Sequence, residues 1–443
     1  MQEPHIHVGI LYSPKIEFRL KGEYLINNSL SLRGEFSAEL TDGKIVLKNN
    51  RFQKEFDNEL IFDSLDSGTS FILKNVVIGI NFHWERNEDQ EFKGNLKIII
   101  EDDKLAAINI IHLEEYLSSV ISSEMSANSN SELLKAHAII SRSWLLAQIQ
   151  QDKNNIEDKN SEQIISENEI IKWYNREDHK NFDVCSDDHC QRYQGIAKIQ
   201  NENAIEAVLD TRGIVLYYED SVCDARYSKC CGGVSESFQN VWEPKEIPYL
   251  QSIYDYKYQP DIDTINLKDS DVFSNWLETD LPAFCNTSDE NILKQVLQDF
   301  DLETQDFYRW KVEYSQEEIG SFINTKTGFD FGLIKDLIPV ERGESGRIIK
   351  LKIVGTQKEM IIGKELEIRR VLAEKHLYSS AFIVDKLDVK NEIPQRFKIT
   401  GAGWGHGVGL CQIGAAVMSE IGYRFDEILM HYFKSASLKR IYQ

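Results

Sequence analysis

Residues 108–125 read INIIHLEEYLSSVISSEM, and within this stretch the period of the apolar residues lengthens from that of a strand to that of a helix. Leu113, Tyr116, Leu117, Val120 and Ile121 fall on one face of a short helix that ends near Glu124 and Met125. A polar break from Ser126 to Asn130 follows. A second helix then opens with Ser129-Asn130-Ser131-Glu132, a capping-box pattern in which hydroxyl and carboxylate satisfy backbone N–H groups reciprocally. It runs to about Gln150 and carries Leu134, Ala138, Trp144 and Leu145 among its apolar positions.

Outward from this junction, residues 5–100 are β-rich, with alternating runs such as His5 to Leu11, Ile45 to Leu47 and Leu96 to Ile100. Thr41-Asp42-Gly43-Lys44 is a tight-turn sequence, because Asp-Gly accommodates the positive φ values of hairpin turns. Gln151 to Glu169 is dominated by Asp, Glu, Asn, Lys and Ser and reads as an exposed insertion. A second, helical and acidic insertion spans Asp261 to Thr327, ahead of a strand at Ile348 to Ile353. The expected class is α+β, a mixed β-rich scaffold with packed helices and helical insertions. Its expected parts are a β-rich region at 1–95, a core at 96–260 with Glu124 and a Cys/His loop, a mainly helical insertion at 261–335, and the rest of the core at 336–443 with a Gly-rich loop.

At 443 residues, two or three substructures are expected, since one hydrophobic core usually stops growing at roughly 250–300 residues. The 50 basic and 72 acidic residues leave a net charge of −22, which repels a polyanionic backbone and argues against nucleic acid. A carbohydrate polymer is electrostatically tolerable. The sequence shows no transmembrane segment and no signal peptide. Its seven cysteines are an odd number, so at least one has no partner for a disulfide within the chain.

Four constellations could carry chemistry. In SSEMSANSNSELLKAHAIISRSW (122–144), Glu124 stands at a helix C-terminus, where the macrodipole disfavours a second negative charge and raises the carboxyl pKa. A carboxyl that keeps its proton near neutral pH serves as a general acid; a solvated helix-end Glu is the plainer alternative. Arg142 on the second helix could steer a sugar or acyl oxygen, or be an ordinary surface arginine.

REDHKNFDVCSDDHCQRYQG (176–195) gathers His179, Cys185, His189 and Cys190, the thiolate-imidazole set that zinc prefers. Adjacent His189 and Cys190 can both face one ion only if the backbone turns there. A loop with free thiols or a Cys185–Cys190 disulfide are the alternatives. In DARYSKCCGGVSESFQNVW (224–242), Tyr227, Ser228 and Lys229 precede Gly232-Gly233, and the plain reading is a hairpin turn of small residues. GAGWGHGVGLCQIGA (401–415) has Gly at 401, 403, 405, 407 and 409, which lets the backbone pass close to another surface while displaying Trp404 and His406. A helix carrying Tyr423, Ile428, Leu429, Tyr432 and Phe433 follows. The glycine spacing is not that of a dinucleotide or P-loop fingerprint, so no organic cofactor is implied.

Taken in order, INIIHLEEYLSSVISSEM, LLKAHAIISRSW, DDHCQRYQG, YSKCCGGVSESFQNVW followed by PYL, ERGESGRIIKLKIVG, and GAGWGHGVGLCQIGA with FDEILMHYF resemble the SpoIID/LytB family over roughly residues 90–440. That family comprises sporulation proteins that degrade septal peptidoglycan and amidase enhancers. The resemblance implies that Glu124, in the S-E-M motif, is the catalytic acid/base of a lytic transglycosylase. Such an enzyme cuts between N-acetylmuramic acid and N-acetylglucosamine and leaves a 1,6-anhydro product. One carboxylate suffices because the attacking hydroxyl belongs to the substrate, unlike the carboxylate pair of ordinary glycoside hydrolases.

By motif position, Arg142, Tyr227, Ser228, Lys229, His406 and Gln412 would bind the glycan. His179, Cys185, His189 and Cys190 would hold a structural Zn2+. The implied partners are peptidoglycan strands and, on the enhancer reading, an N-acetylmuramoyl-L-alanine amidase; the implied location is the extracytoplasmic cell envelope. A zinc hydrolase centred on Cys185 and Cys190 is a more distant alternative. The chain departs from the family pattern at Ser126, where Pro is common, and at Lys229-Cys230-Cys231, where Ser-Thr-Ser is common. Exposed, the two cysteines would be prone to oxidation.

Overall fold

A computed structural model describes residues 2–27, 29–78, 86–126, 129–154, 163–174, 179–187, 190–196, 202–258, 265–279, 281–297 and 307–443. They divide into two compact units, one comprising Met1–Arg142, Arg176–Ile214 and Arg440–Gln443, the other Ser143–Asn175 and Val215–Lys439. The fold is α+β, with large sheets and several packed helices, as the sequence implies.

The first unit is built on an 11-stranded sheet. Its opening strand, His5–Ser13, runs antiparallel to Lys104–His112, with His5 opposite His112 and Ser13 opposite Leu105. Alternation is the physical signature: Ile16, Phe18 and Leu20 of Lys15–Ile26 are buried while Lys15, Glu17, Arg19 and Lys21 face solvent. The hairpin at Thr41–Lys44 forms with φ of 49° at Asp42 and 73° at Gly43, joining Leu30–Thr41 to Lys44–Asn49.

Strand Lys104–His112 leads directly into helix α1, Leu113–Glu124, whose apolar face is buried. Met125 closes it by donating its N–H to the Ile121 carbonyl. Helix α2, Ser131–Asn154, starts where Asn130 Oδ1 accepts the Glu132 N–H at 3.0 Å, and the Ser129 hydroxyl donates to the Ser126 carbonyl at 2.8 Å. α1 packs on α3, Glu202–Asp210.

In the second unit, Ile334–Arg342, Ile348–Gly355 and Glu359–Gly363 form an antiparallel run extended by Glu169–Ile171 and Ile164–Ile165. A separate three-stranded sheet joins Arg309–Ser315, Arg396–Ala402 and Phe382–Leu387. Ile319, Ile323, Ile368 and Val371, from helices Gln316–Thr327 and Glu365–Val371, pack against Leu351, Ile353, Phe397 and Ile399 to make one apolar core. Of the two acid-rich segments, 155–162, 261–264, 280 and 298–306 lie outside the described residues. What is described of 261–335 forms helices Ser270–Glu278, Glu290–Val296 and Gln316–Thr327 with strand Arg309–Ser315.

Candidate functional site

Glu124 is the last residue of α1. Its side chain retains 15% exposure. Oε2 lies 3.8 Å from Nε2 of the fully buried His137 on α2, and Oε1 faces the backbone N–H of Arg192 at 3.4 Å. His137 is held in turn by Ser141, whose Oγ lies 3.2 Å from Nδ1 one helical turn on. The sequence reading did not single out His137. The available signal was an imidazole on an otherwise apolar helical face, one turn before a serine.

The Arg192 amide is positioned by the loop before it. Cys190 N–H donates to the Asp187 carbonyl at 3.0 Å, closing a turn, and Tyr193 N–H donates to the Ser186 carbonyl at 3.0 Å. Gln191, buried, accepts from the Tyr116 hydroxyl at 3.2 Å and donates to the Ser141 carbonyl at 3.3 Å. Tyr193 stacks on Tyr116 and donates to Asn109 Oδ1 at 2.6 Å. The loop thus reaches strand, α1 and α2 together, and its course fixes where one N–H meets Glu124.

The same loop brings donor atoms of His179, Cys185 and Cys190 within 4.8 Å of one another, with Cys190 Sγ 3.5 Å from His179 Nε2. Two thiols and an imidazole at this spacing fit a zinc ion. His189, the fourth member of the set proposed from the sequence, lies outside the described residues. All seven cysteines are described and none is in a disulfide, Cys185 and Cys190 included.

Arg142 is not displayed. It is fully buried, with Nε and Nη2 on the Glu114 carboxylate at 3.0 and 2.6 Å and Nη1 on the Ile214 carbonyl at 3.0 Å. Tyr442 also donates to Glu114, at 2.5 Å. These contacts tie α1, α2 and the C-terminus together, which is what a buried guanidinium does best when its donors are matched.

In the second unit, residues 224–242 do not turn back on themselves as a hairpin. Tyr227–Ser228 runs parallel to Leu410–Cys411, Cys230 bridges Trp404, and Glu236 bridges Val408. The two glycine-bearing segments therefore lie against one another, and the glycines at 401–409 serve the close approach their spacing implies. A Cβ on Gly403 would sit 2.8 Å from the Cys230 carbonyl oxygen. Tyr227 and Lys229 are half-buried, with Lys229 Nζ on the Val296 carbonyl at 3.0 Å; Ser228 and Gln412 are buried. Cys230 and Cys231 are buried too, so the exposure that would make them prone to oxidation is not met.

His406 is half-buried, edge-on to Trp242 at 4.9 Å. Its Nδ1 accepts the Val408 N–H at 3.0 Å, so the proton of the neutral ring resides on Nε2. Burial, then the positive charges of Arg226, Arg347 and Arg369, push its pKa down to about 3. Arg347, which the sequence did not single out, is the hub here: its guanidinium donates to the carbonyls of Gly405 at 3.1 and 3.2 Å and Cys231 at 3.2 Å, and to Ser345 Oγ at 3.0 Å.

Residues 101–218 match the family described as stage II sporulation protein, SpoIID, and residues 236–409 match a domain of unknown function, DUF8618. The chain is 22% identical to an uncharacterized protein of Brachyspira hyodysenteriae over 95% of its own length and 88% of that protein's. It is 24% identical to the stage II sporulation protein D of Bacillus amyloliquefaciens, over 75% of each. With an amidase enhancer of Bacillus subtilis it shares 24% identity over 54% of its length, spanning a third (33%) of that longer protein. No helix among the described residues is long and apolar enough to cross a membrane.

Proposed function

The chain belongs to the SpoIID/LytB family, which contains enzymatic and non-enzymatic members, and from that premise we propose that it cleaves peptidoglycan glycan strands as a lytic transglycosylase with Glu124 as its general acid and base. The observation that carries the reading is the setting of Glu124: a helix-end carboxyl, largely shielded, with His137 and the Arg192 N–H each facing one of its oxygens. Two fixed neighbours restrict the carboxyl to a narrow set of orientations, which a proton transfer to a glycosidic oxygen requires.

In the proposed reaction Glu124 gives its proton to the oxygen linking N-acetylmuramic acid to N-acetylglucosamine. The carboxylate so formed takes the proton of the muramyl 6-hydroxyl as that oxygen closes on C1. The bond to the leaving sugar breaks, the 1,6-anhydro bond forms, and Glu124 ends protonated, ready for a further turnover. His137 and Arg192 act as positioning residues. Arg142 is a scaffold residue in this reading, holding α1 through Glu114, while Tyr227, Ser228, Lys229, His406 and Gln412 of the second unit are carried as glycan-binding candidates.

His179, Cys185 and Cys190, with His189 as the fourth ligand proposed from the sequence, would hold zinc. Bound there, the ion supplies a cross-link within the loop and no reacting group. The peptidoglycan substrate places the working protein in the extracytoplasmic envelope. The likeness to an amidase enhancer favours one second reading, in which Glu124 contacts sugar without cutting it and the chain stimulates an N-acetylmuramoyl-L-alanine amidase.

Digestion of purified glycan strands, with and without stem peptides, separates the two. The native protein should release 1,6-anhydro-muramyl products, and Glu124→Gln should lower the rate by about 10²–10⁴-fold, the usual worth of a positioned general acid. Product formation unchanged in Glu124→Gln, or absent in the native protein, defeats the transglycosylase reading.

A further inference from the structure

Four side chains far apart in sequence meet inside the second unit. Donor atoms of Cys231, Asp255, Cys285 and Cys411 all lie within 4.8 Å of one another, and all four residues are at most 2% exposed. Cys231 Sγ stands 3.5 Å from Cys285 Sγ and 3.3 Å from Asp255 Oδ2. We propose that Cys231, Cys285 and Cys411, together with the carboxylate of Asp255, bind one Zn2+ ion as a closed structural site.

The edge lengths favour a metal over a chance gathering of thiols. Zinc bonds of about 2.3 Å to sulfur and 2.0–2.2 Å to oxygen put tetrahedral ligand atoms roughly 3.5–3.8 Å apart, close to the spacings found. Neutral thiols bury readily, but the wholly buried Asp255 carboxylate beside them is costly without a cation. The ligand set is soft enough to select zinc over magnesium or calcium, and with four protein donors it leaves no position for a reacting water.

The surroundings are those of a metal's outer shell. Asp255 Oδ1, the oxygen turned away from Cys231, accepts the Tyr432 hydroxyl at 2.7 Å and lies 3.4 Å from His431 Nε2, while Oδ2 faces the thiols. The Cys231 N–H donates to Cys411 Sγ at 3.2 Å, and Cys285 N–H to Asp255 Oδ2 at 3.3 Å. Cys411 also stands at the N-cap of the nine-residue helix Gln412–Glu420, where the helix dipole favours a thiolate. Gly414 leaves room for this group, since a Cβ there would lie 2.6 Å from Asp255 Oδ2. Cys230, wholly buried and next to Cys231 in the chain, is the rival for the fourth position.

The test uses the full chain carrying Cys185→Ser and Cys190→Ser, which removes the thiols of the His179 loop. Elemental analysis after purification without chelators should find one zinc per chain. X-ray absorption at the zinc edge should show three sulfurs and one light atom. Cys285→Ser in that background should lose the zinc, and Asp255→Asn should weaken its retention against a competing chromophoric chelator at least tenfold. If the Cys185/Cys190 variant does not fold, Cys231→Ser in the otherwise native chain should remove one zinc equivalent. Absence of zinc with the buried thiols titrating only after denaturation, or a mass lower by two hydrogens that marks a Cys231–Cys285 disulfide, overturns the proposal. A shell of four sulfurs, abolished by Cys230→Ser and not by Asp255→Asn, overturns the assignment of Asp255.

Discussion

Glu236 is a wholly buried carboxyl whose Oε1 accepts the Ser237 N–H at 2.9 Å and Asn240 Nδ2 at 2.7 Å, and whose Oε2 accepts the Ser345 hydroxyl at 2.6 Å. Burial, then the negative charge of Glu344, lifts its pKa to about 7. At Glu344 burial opposes ionisation, but hydrogen bonds from Glu236 and Lys268 bring the pKa down to about 2. The two share one proton and titrate as a unit. The stabilisation from Glu236 is complete below the ordinary glutamate pKa of 4.5 and is lost as pH rises through 7; that from Glu344 is complete above 4.5 and is lost as pH falls through 2. Between pH 5 and 8 the protein should therefore lose on the order of 1–3 kcal/mol of stability through this pair. Denaturant unfolding at the two pH values measures the loss, and Glu236→Gln should flatten it; a full slope in that variant would show that the pair does not govern it. Little of this was legible from SESFQNVW and ERGESGR, because each glutamate looks solvated in its own segment and only their meeting removes the water. Glu124, by contrast, could be named from its motif, while the His137 and Arg192 contacts around it depended on tertiary placement.

At the scale of elements, the glycine-rich segment shows what sequence conveys well. Alternating glycines announce a close backbone approach, and the approach is there, but the partner is not named by any neighbouring residue. Gly407 adopts φ of +77°, and a Cβ there would fall into the guanidinium of Arg347, itself buried and hydrogen-bonded on every side. Gly407→Ala should thus cost about 2–5 kcal/mol, combining left-handed backbone strain with overpacking. Gly422 at φ +95° has no atom within 4 Å of the place a methyl would occupy, so Gly422→Ala should cost only the backbone share, about 1–2 kcal/mol. Thermal unfolding of both variants checks the difference, and equal losses would remove the Arg347 contact from the explanation. The same limit governed the helices: α1 and α2 followed from periodicity, while at the start of α2 the Glu132 N–H is taken by Asn130 where Ser129 was expected to cap, and the burial of Arg142 required Glu114, Val208 and Ile214 to be brought to it from three other places in the chain.

For the whole molecule, local patterns give elements but not the closure of units. The C-terminal Ile441 N–H donates to the Gly213 carbonyl at 2.8 Å, returning the chain's end to the first unit across more than two hundred residues, and no periodicity encodes such a return. Net charge is different, being a property of the whole that the sequence states outright. At −22 the protein repels other polyanions over a Debye length of about 8–10 Å at physiological salt. If glycan strands are the ligand, those still bearing stem-peptide carboxylates should bind more weakly at low salt and gain affinity as added salt screens the repulsion. Denuded strands keep only the one lactyl carboxylate of each N-acetylmuramic acid, so their binding should rise less as salt is added, by under about twofold between 20 and 300 mM, where a site built on counterion release would lose orders of magnitude. Sedimentation of the protein with each strand preparation across that range measures both responses. Binding to denuded strands that falls steeply with salt would mean that a local basic surface, rather than uncharged sugar contacts, holds the polymer, and the glycan-binding candidates would have to be sought among exposed lysines and arginines instead of His406 and Tyr227.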